Sequence, residues 1–216
     1  MVHGQIDHGT QFVDQELRHV PTTYYAWDSG IGVALNQLHR QRRQGLRIGV
    51  IGLGTGTISA LARSGDSVRY YEINPNVECL ARKYFTYLSD TAADVDVVLG
   101  YARVVLEHEA EQGRQQQFDI LVLNAFDGDA IPLHLLTREA YEIYWSHLRP
   151  DGLLAVHVSN IHVVFEPVVR GLSQQNGHRA VRILSTEQDK WSVGSARWVI
   201  VTNNQAFLAA KDVQVA

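Results

Sequence analysis

One cysteine, Cys79, is all that the 216 residues contain, so no intrachain disulfide can form and folding does not depend on an oxidising compartment. No apolar run approaches the ~18 residues of a membrane span, and no signal peptide opens the chain. Basic residues are not in excess. The 19 Lys and Arg stand against 23 acids, a net charge of −4, which gives no reason to expect nucleic acid or an anionic membrane as a partner. Internal repeats and low-complexity tracts are absent as well. These absences predict a soluble, cytoplasmic protein, and the length suits one domain with a substantial core. Cys79 falls in the helical run Val77-Glu78-Cys79-Leu80-Ala81-Arg82, where a packed thiol is expected rather than a nucleophile.

What is present is concentrated in one stretch, Arg47-Ile48-Gly49-Val50-Ile51-Gly52-Leu53-Gly54-Thr55-Gly56-Thr57. An apolar strand-type run breaks into a glycine-rich turn, and a helical pattern starts at once. A second apolar run then ends at Glu72, 20 residues after Gly52. Glycines let the backbone pass close to a ligand, and an acid ending the next strand is placed to accept from ribose hydroxyls. This combination predicts a nucleoside site. Dinucleotide sites space their glycines G-x-G-x-x-G, the third allowing close helix–strand packing. Here they fall at 52, 54 and 56, a spacing nearer to S-adenosylmethionine sites, which cradle no diphosphate.

Strand-length apolar runs alternate with helical patterns, which argues for an α/β fold with a parallel sheet. Strands are predicted at 46–52, 67–72, 94–99, 118–124, 152–158, 179–185 and 195–203, and helices at 55–64, 75–88, 101–112, 137–148 and 162–176. Pro150-Asp151-Gly152 reads as a turn past a helix end. The last two strands, joined without helical periodicity, are predicted to be antiparallel neighbours. Seven strands with a terminal antiparallel hairpin is the Rossmann-like layout of class I S-adenosylmethionine-dependent methyltransferase folds. Residues 1–45 read as a hairpin and a leading helix at 28–43 packing on the core, 46–205 as the nucleoside-binding domain and 206–216 as a tail. Patterned from residue 2, the chain reads as a fragment or as one lacking an N-terminal portion.

Further segments add specificity: His3-Gly4, His8-Gly9-Thr10-Gln11, Pro21-Thr22-Thr23-Tyr24-Tyr25, Asp28-Ser29-Gly30-Ile31-Gly32, Tyr71-Glu72-Ile73-Asn74-Pro75, the run from Asp129 to Glu139, and 150–160. Taken in this order with the glycine loop, they resemble the spermidine synthase-like family, most closely bacterial members often fused to membrane domains. The resemblance covers roughly residues 2–203. It implies transfer of an aminopropyl group from decarboxylated S-adenosylmethionine (or use of S-adenosylmethionine itself) as co-substrate, with no tightly bound cofactor and no metal. A small-molecule amine is the implied partner, and family members often form homodimers. By the same resemblance Gly52, Gly54 and Gly56 would approach the nucleoside and Glu72 with Ile73 would hold its ribose end. Gln11 and Asp28 would flank the aliphatic chain, and Tyr24 or Tyr25 would sit near the attacking amine. Asp127 and Asp129 would face the amine pocket.

Two positions depart from the family. Its third strand ends in Gly-Asp, an acid that accepts from the adenine amino group, where this chain has Gly100-Tyr101. Its fourth strand ends in the acid that deprotonates the amine, where this chain has Asn124, which can hold geometry but takes no proton. Three functional readings follow: an aminopropyltransferase, a protein that binds an adenosyl ligand without turnover, and a methyltransferase. Structural roles are predicted for other residues. His3 and His8 take a turn-and-strand role, His157 is a hydrogen-bonded core histidine, and Tyr141, Tyr144 and Trp145 are core at helical spacing. Arg40, Arg42 and Arg43 read as a solvated helix end, and Asp127 and Asp129 can also act simply as turn residues around Gly128.

Overall fold

The computed structural model describes residues 1–3, 6–7, 9–126, 131–160 and 163–214. A two-stranded antiparallel ribbon, β1 (Val2–His3) and β2 (Ile6–Asp7), precedes helix α1 (Gly30–Gln41). Next come β3 (Arg47–Ile51), β4 (Ser67–Glu72), α2 (Pro75–Tyr84), α3 (Tyr87–Asp90), β5 (Asp94–Leu99), α4 (Ala102–Glu111) and β6 (Phe118–Leu123). The chain continues with α5 (Arg138–Ser146), β7 (Leu148–His157), α6 (Glu166–Gln175), β8 (Arg179–Ser185), β9 (Ala196–Thr202), α7 (Gln205–Leu208) and α8 (Lys211–Gln214). Seven strands form one sheet in the order β5-β4-β3-β6-β7-β9-β8; the first five are mutually parallel, and β9 runs antiparallel to both β7 and β8. The fold is thus the α/β, class I methyltransferase-like sheet that the strand pattern predicts.

The central strands are apolar throughout because helices cover both faces. Residues Phe118 to Leu123 of β6 are all buried. On one face α1 packs Ile31, Ala34, Leu35 and Leu38, spaced as one side of a helix, against Val50, Trp198 and Ile200. Burying four such side chains contributes roughly 1.5–3 kcal/mol for each large one before entropy is counted. Ser29 starts the helix by accepting from the Gly32 N–H at 3.3 Å. On the other face Leu106, Tyr141, Tyr144 and Val169 meet Leu121 and Val199. Tyr141 and Tyr144 are therefore core, with half-buried Trp145 packed beside them. Residues 206–214 close the first face through Phe207, Leu208 and Val213.

Several expected elements differ, each for a local reason. The helix expected at 55–64 shrinks to a five-residue 3₁₀ turn, Thr57–Leu61. Ser59 hydrogen-bonds the Tyr70 hydroxyl at 2.8 Å, and Asp66 captures the Arg63 N–H at 2.7 Å, turning the chain straight into β4. The helix expected at 75–88 breaks at Phe85–Thr86, where the Gln11 carboxamide accepts from the Thr86 N–H and donates to its hydroxyl, both at 2.9 Å. Pro150-Asp151-Gly152 is not a turn but part of β7. The register jumps from Phe118↔Leu148 to Ile120↔Leu153, so the strand bulges around the proline.

Two side-chain expectations are overturned. Cys79 is exposed, because Ala81 is the buried residue of α2 and a position two residues away lies on roughly the opposite side of the helix. Arg42 is only partly exposed: it leaves α1 in an extended conformation, and its guanidinium bridges Asp119 at 3.2 Å and Asp151 at 2.7 Å. Among the described residues no helix is long and apolar enough to cross a membrane.

Candidate functional site at the carboxyl ends of the strands

The glycine loop leaves β3 with positive φ at Gly52 (96°), Gly54 (56°) and Gly56 (80°). A Cβ on Gly52 would lie 2.6 Å from the Asn124 carbonyl oxygen, and one on Gly56 would lie 2.6 Å from Leu88 Cδ2. Beneath the loop, buried Glu72 at the end of β4 accepts from the Leu53 N–H through Oε2 (3.0 Å) and from the Asn74 N–H through Oε1 (2.9 Å). Two backbone donors therefore hold the carboxylate, and each oxygen keeps lone-pair capacity for a ligand hydroxyl. Ile73 follows it and is 55% exposed; Tyr101, after Gly100 at the end of β5, is 62% exposed. Strands β4 and β5 pair Glu72 with Leu99, so Ile73 and Tyr101 follow the ends of neighbouring strands. They offer apolar and aromatic faces on which a flat base can stack.

Across the loop, Asn124 stands one residue beyond β6. The register Leu123↔Val156 brings it level with His157, the last residue of β7. The Asn124 Nδ2 donates to the Tyr25 hydroxyl at 2.6 Å, and its Oδ1 lies 2.9 Å from His157 Nδ1. His157 is 2% exposed, and burial pushes its imidazole down to about 3, so the ring is neutral at ordinary pH. With Asn124 presenting its oxygen, the proton of the neutral ring must sit on Nδ1. Nε2 then accepts from the Ser159 hydroxyl at 2.9 Å, and Ser159 in turn accepts from the Arg197 N–H at 2.8 Å. The imidazole stacks on Trp198 (centroids 4.6 Å, interplanar angle 14°), with Tyr24 at 5.0 Å and Phe126 edge-on at 5.1 Å.

Tyr24 and Tyr25 are positioned by an unusual contact. Thr23 and Ser192 both have left-handed backbones, at φ 58° and 52°. The Thr23 N–H donates to the Ser192 carbonyl, and the Gly194 N–H donates back to that of Thr23, both at 2.8 Å. The β8–β9 connection is thereby clamped onto the Tyr24–Tyr25 segment, and the Trp198 indole donates to the Tyr24 carbonyl at 3.3 Å.

The structure thus brings Asn124, Tyr25 and Tyr24 together at one end, and Gly52, Gly54, Gly56, Glu72, Ile73, Gly100 and Tyr101 at the other. Asp28 is exposed and accepts from Gln188 at 2.7 Å. Gln11 spends both amide protons inside the protein, on the Arg18 carbonyl (2.7 Å) and Thr86, which leaves only its oxygen with capacity for a ligand. Asp127 and Asp129 lie outside the described residues, as does His8. His157 is the hydrogen-bonded buried histidine that the sequence suggests, but its partner is Asn124, and with Ser159 and Trp198 it escaped the candidate site. Only the register of β6 and β7 sets it beside Asn124. Among the described residues no three His, Cys, Asp or Glu side chains gather as metal ligands. An open cleft of about 540 Å³ along α4 lies apart from this site, and its Arg69 is already tied to Asp96 and Glu109.

No family model matches the chain. It is 38% identical over 123 residues to the polyamine aminopropyltransferase of Vibrio vulnificus, covering 56% of this chain and 40% of that protein. It is 31% identical over 109 residues to the N-terminal histidine N-methyltransferase of Emericella nidulans, covering 50% of this chain and 19% of that protein. The matches therefore span less than half the length of these curated relatives. Among solved structures, spermidine synthase from Thermotoga maritima superposes with a TM-score of 0.55 at 15% identity, over 83% of this chain and 59% of that one. Human methyltransferase-like protein 13 superposes with a TM-score of 0.62 at 14% identity, over 86% and 85% of the two chains. At such identities these two show the shared fold.

Proposed function

We propose that the chain carries the site of a spermidine synthase-like transferase, which moves an aminopropyl group from decarboxylated S-adenosylmethionine to a small amine. The observation that carries this reading is the 38% identity to a polyamine aminopropyltransferase over 123 residues. The glycine loop and Glu72 support the nucleoside half. In this reading the loop backbone approaches the adenosyl group, Glu72 accepts from the ribose hydroxyls, and Ile73 and Tyr101 flank the base. The amine nitrogen attacks the methylene beside the sulfonium, the carbon–sulfur bond breaks, methylthioadenosine leaves, and the nitrogen sheds a proton. Asn124 and neutral His157 cannot receive that proton at ordinary pH, so it is assigned to Asp127 or Asp129, directly or through a water. Tyr25 and Tyr24 line the amine end, where alignment of nitrogen and carbon supplies much of the rate.

A methyltransferase is the second reading, favoured by the 31% identity to a histidine N-methyltransferase. It requires a place for the methionine carboxylate, which acids at 127 and 129 would repel. Nothing in the comparisons favours a protein that binds an adenosyl ligand without turnover. The deciding experiment incubates the protein with a diamine and either decarboxylated S-adenosylmethionine or S-adenosylmethionine, then follows methylthioadenosine and the alkylated amine by mass spectrometry. Product from the decarboxylated compound alone supports the first reading. Methyl transfer from S-adenosylmethionine moves the assignment to the second, and tight binding of methylthioadenosine without product from either leaves a binding protein.

A further inference from the structure

We infer that His157 is a positioning residue, which locks the Asn124 carboxamide in one orientation and so sets which way the Tyr25 hydroxyl faces; its consequence for catalysis rests on the transferase reading above. A carboxamide is nearly symmetric in shape, and turning Asn124 over would exchange its oxygen and nitrogen at almost no steric cost. The flipped amide would set its NH₂ against the Nδ1–H of His157, donor against donor. For the ring to answer by moving its proton to Nε2, Ser159 would have to accept from both the ring and the Arg197 N–H, at 2.9 and 2.8 Å, and turn its own proton to another acceptor. Ser159 also accepts the Arg197 N–H at 2.8 Å, which leaves its own proton available to the ring. The hydrogen bonds run in series from the backbone of β9 through Ser159, His157 and Asn124 to Tyr25.

A histidine serving packing alone would need only some partner for each nitrogen. This one is held between Trp198 and Tyr24, and it joins the last strand of the chain to the hydroxyl lining the amine end. With Asn124 donating at 2.6 Å, the Tyr25 oxygen is an acceptor toward the strand, and its own proton is directed away from Asn124. A carboxylate at 124 would reverse that direction by demanding the tyrosine proton. Asn124 and His157 together therefore define a neutral, directional contact at the amine end.

Two variants of the intact protein separate positioning from packing. In His157→Asn the side-chain nitrogen falls near the place of Nδ1 and reaches Asn124 but not Ser159. In His157→Gln it falls near Nε2 and reaches Ser159 but not Asn124. Both lose the stack on Trp198 and are expected to lose similar amounts of Tm. In ¹⁵N-resolved NMR the Asn124 NH₂ protons should stay distinct and exchange-protected in the wild type and His157→Asn, and become averaged in His157→Gln. Aminopropyl transfer by His157→Gln should fall in kcat by roughly 10–100-fold, with KM for decarboxylated S-adenosylmethionine within about twofold, while His157→Asn recovers to within about threefold. Equal losses in the two variants, or an unchanged Asn124 signal in His157→Gln, would overturn the proposal. If neither variant folds, Ser159→Ala frees the ring proton from the other end and should loosen the same NH₂ signal; an unchanged signal there would also sink it. A wild type without transfer activity ends the transferase reading alone, because the NMR comparison decides the positioning independently.

Discussion

His157 and Asn124 meet at 2.9 Å, each ending or just overrunning its own strand, so two neighbouring parallel strands present a matched pair of neutral polar groups at the same level of the sheet. A carboxylate in place of the amide would accept from both neighbours at once, from the His157 Nδ1–H and from the Tyr25 hydroxyl. Asn124→Asp is therefore expected to fold and, in the transferase reading, the base it adds in direct contact outweighs the reversed Tyr25 hydroxyl, so that turnover rises about 10–100-fold at pH 8. Unchanged turnover in a variant that still binds methylthioadenosine would show that the proton is taken entirely elsewhere.

Glu72→Gln places an NH₂ group where one of two backbone N–H donors now meets a carboxylate oxygen. Leaving that donor unpaired costs about 1–3 kcal/mol, and in the transferase reading the ribose loses a charged acceptor. Calorimetry should record at least a tenfold loss of methylthioadenosine affinity together with a Tm several degrees lower. Retained affinity would remove Glu72 from the nucleoside site.

At Gly52 the obstacle to a side chain is backbone, the Asn124 carbonyl, so nothing can swing aside. Gly52→Ala should destabilise the protein by more than the ~1–2 kcal/mol that a left-handed alanine costs on its own, as read by urea unfolding. Gly56→Ala meets only the end of Leu88, and Leu88→Ala is expected to restore part of its loss, a pattern unavailable to the Gly52 variant.

Stability should decline in mild acid. Burial pushes His157 down to about 3 from an ordinary 6.5, and it lowers His147 and His178 as well. Above 6.5 both folded and unfolded chains carry neutral rings and the term vanishes. Below it the unfolded chain binds a proton that the folded one refuses, so stability drains away as pH falls from 6.5 toward 3. At pH 5, His157 alone accounts for about 2 kcal/mol. His157→Asn should flatten the slope between pH 7.5 and pH 5 in denaturant titrations; an identical slope would contradict a buried neutral ring.

Cys79 should react with a thiol reagent in the native protein at a rate close to that of a free peptide, with Tm unchanged on labelling. Protection comparable to that of a core group would restore the packed-thiol expectation.

The sheet was legible because its central strands are near-continuous apolar runs, a consequence of burial on both faces that no helix surface reproduces. Helix boundaries were less so, since tertiary partners ended them: Gln11 at Thr86, Tyr70 at Ser59. Neither partner is visible from within the segment it interrupts. At the site, the glycine spacing and the acid after the second core strand draw attention by themselves. His157 did not, because β7 is apolar and buried up to that residue, and only register sets it beside Asn124. Cys79 was misread because the apolar side of α2 is as narrow as Ala81 with half-buried Val77.

The strand order has a bearing on how the protein is born. Strand β9 slides between β7 and β8, and the Thr23–Ser192 clamp and Trp198 belong to that final stretch. During synthesis the glycine loop and Glu72 leave the ribosome early, ahead of β5 and β6, which flank β4 and β3 in the sheet. Tyr24 and Tyr25 emerge earlier still, and their contacts wait for Asn124, His157 and finally residues 192–198. The glycine-loop end of the site is complete once β6 and Asn124 are made, whereas the tyrosine end waits for the last strand of the sheet.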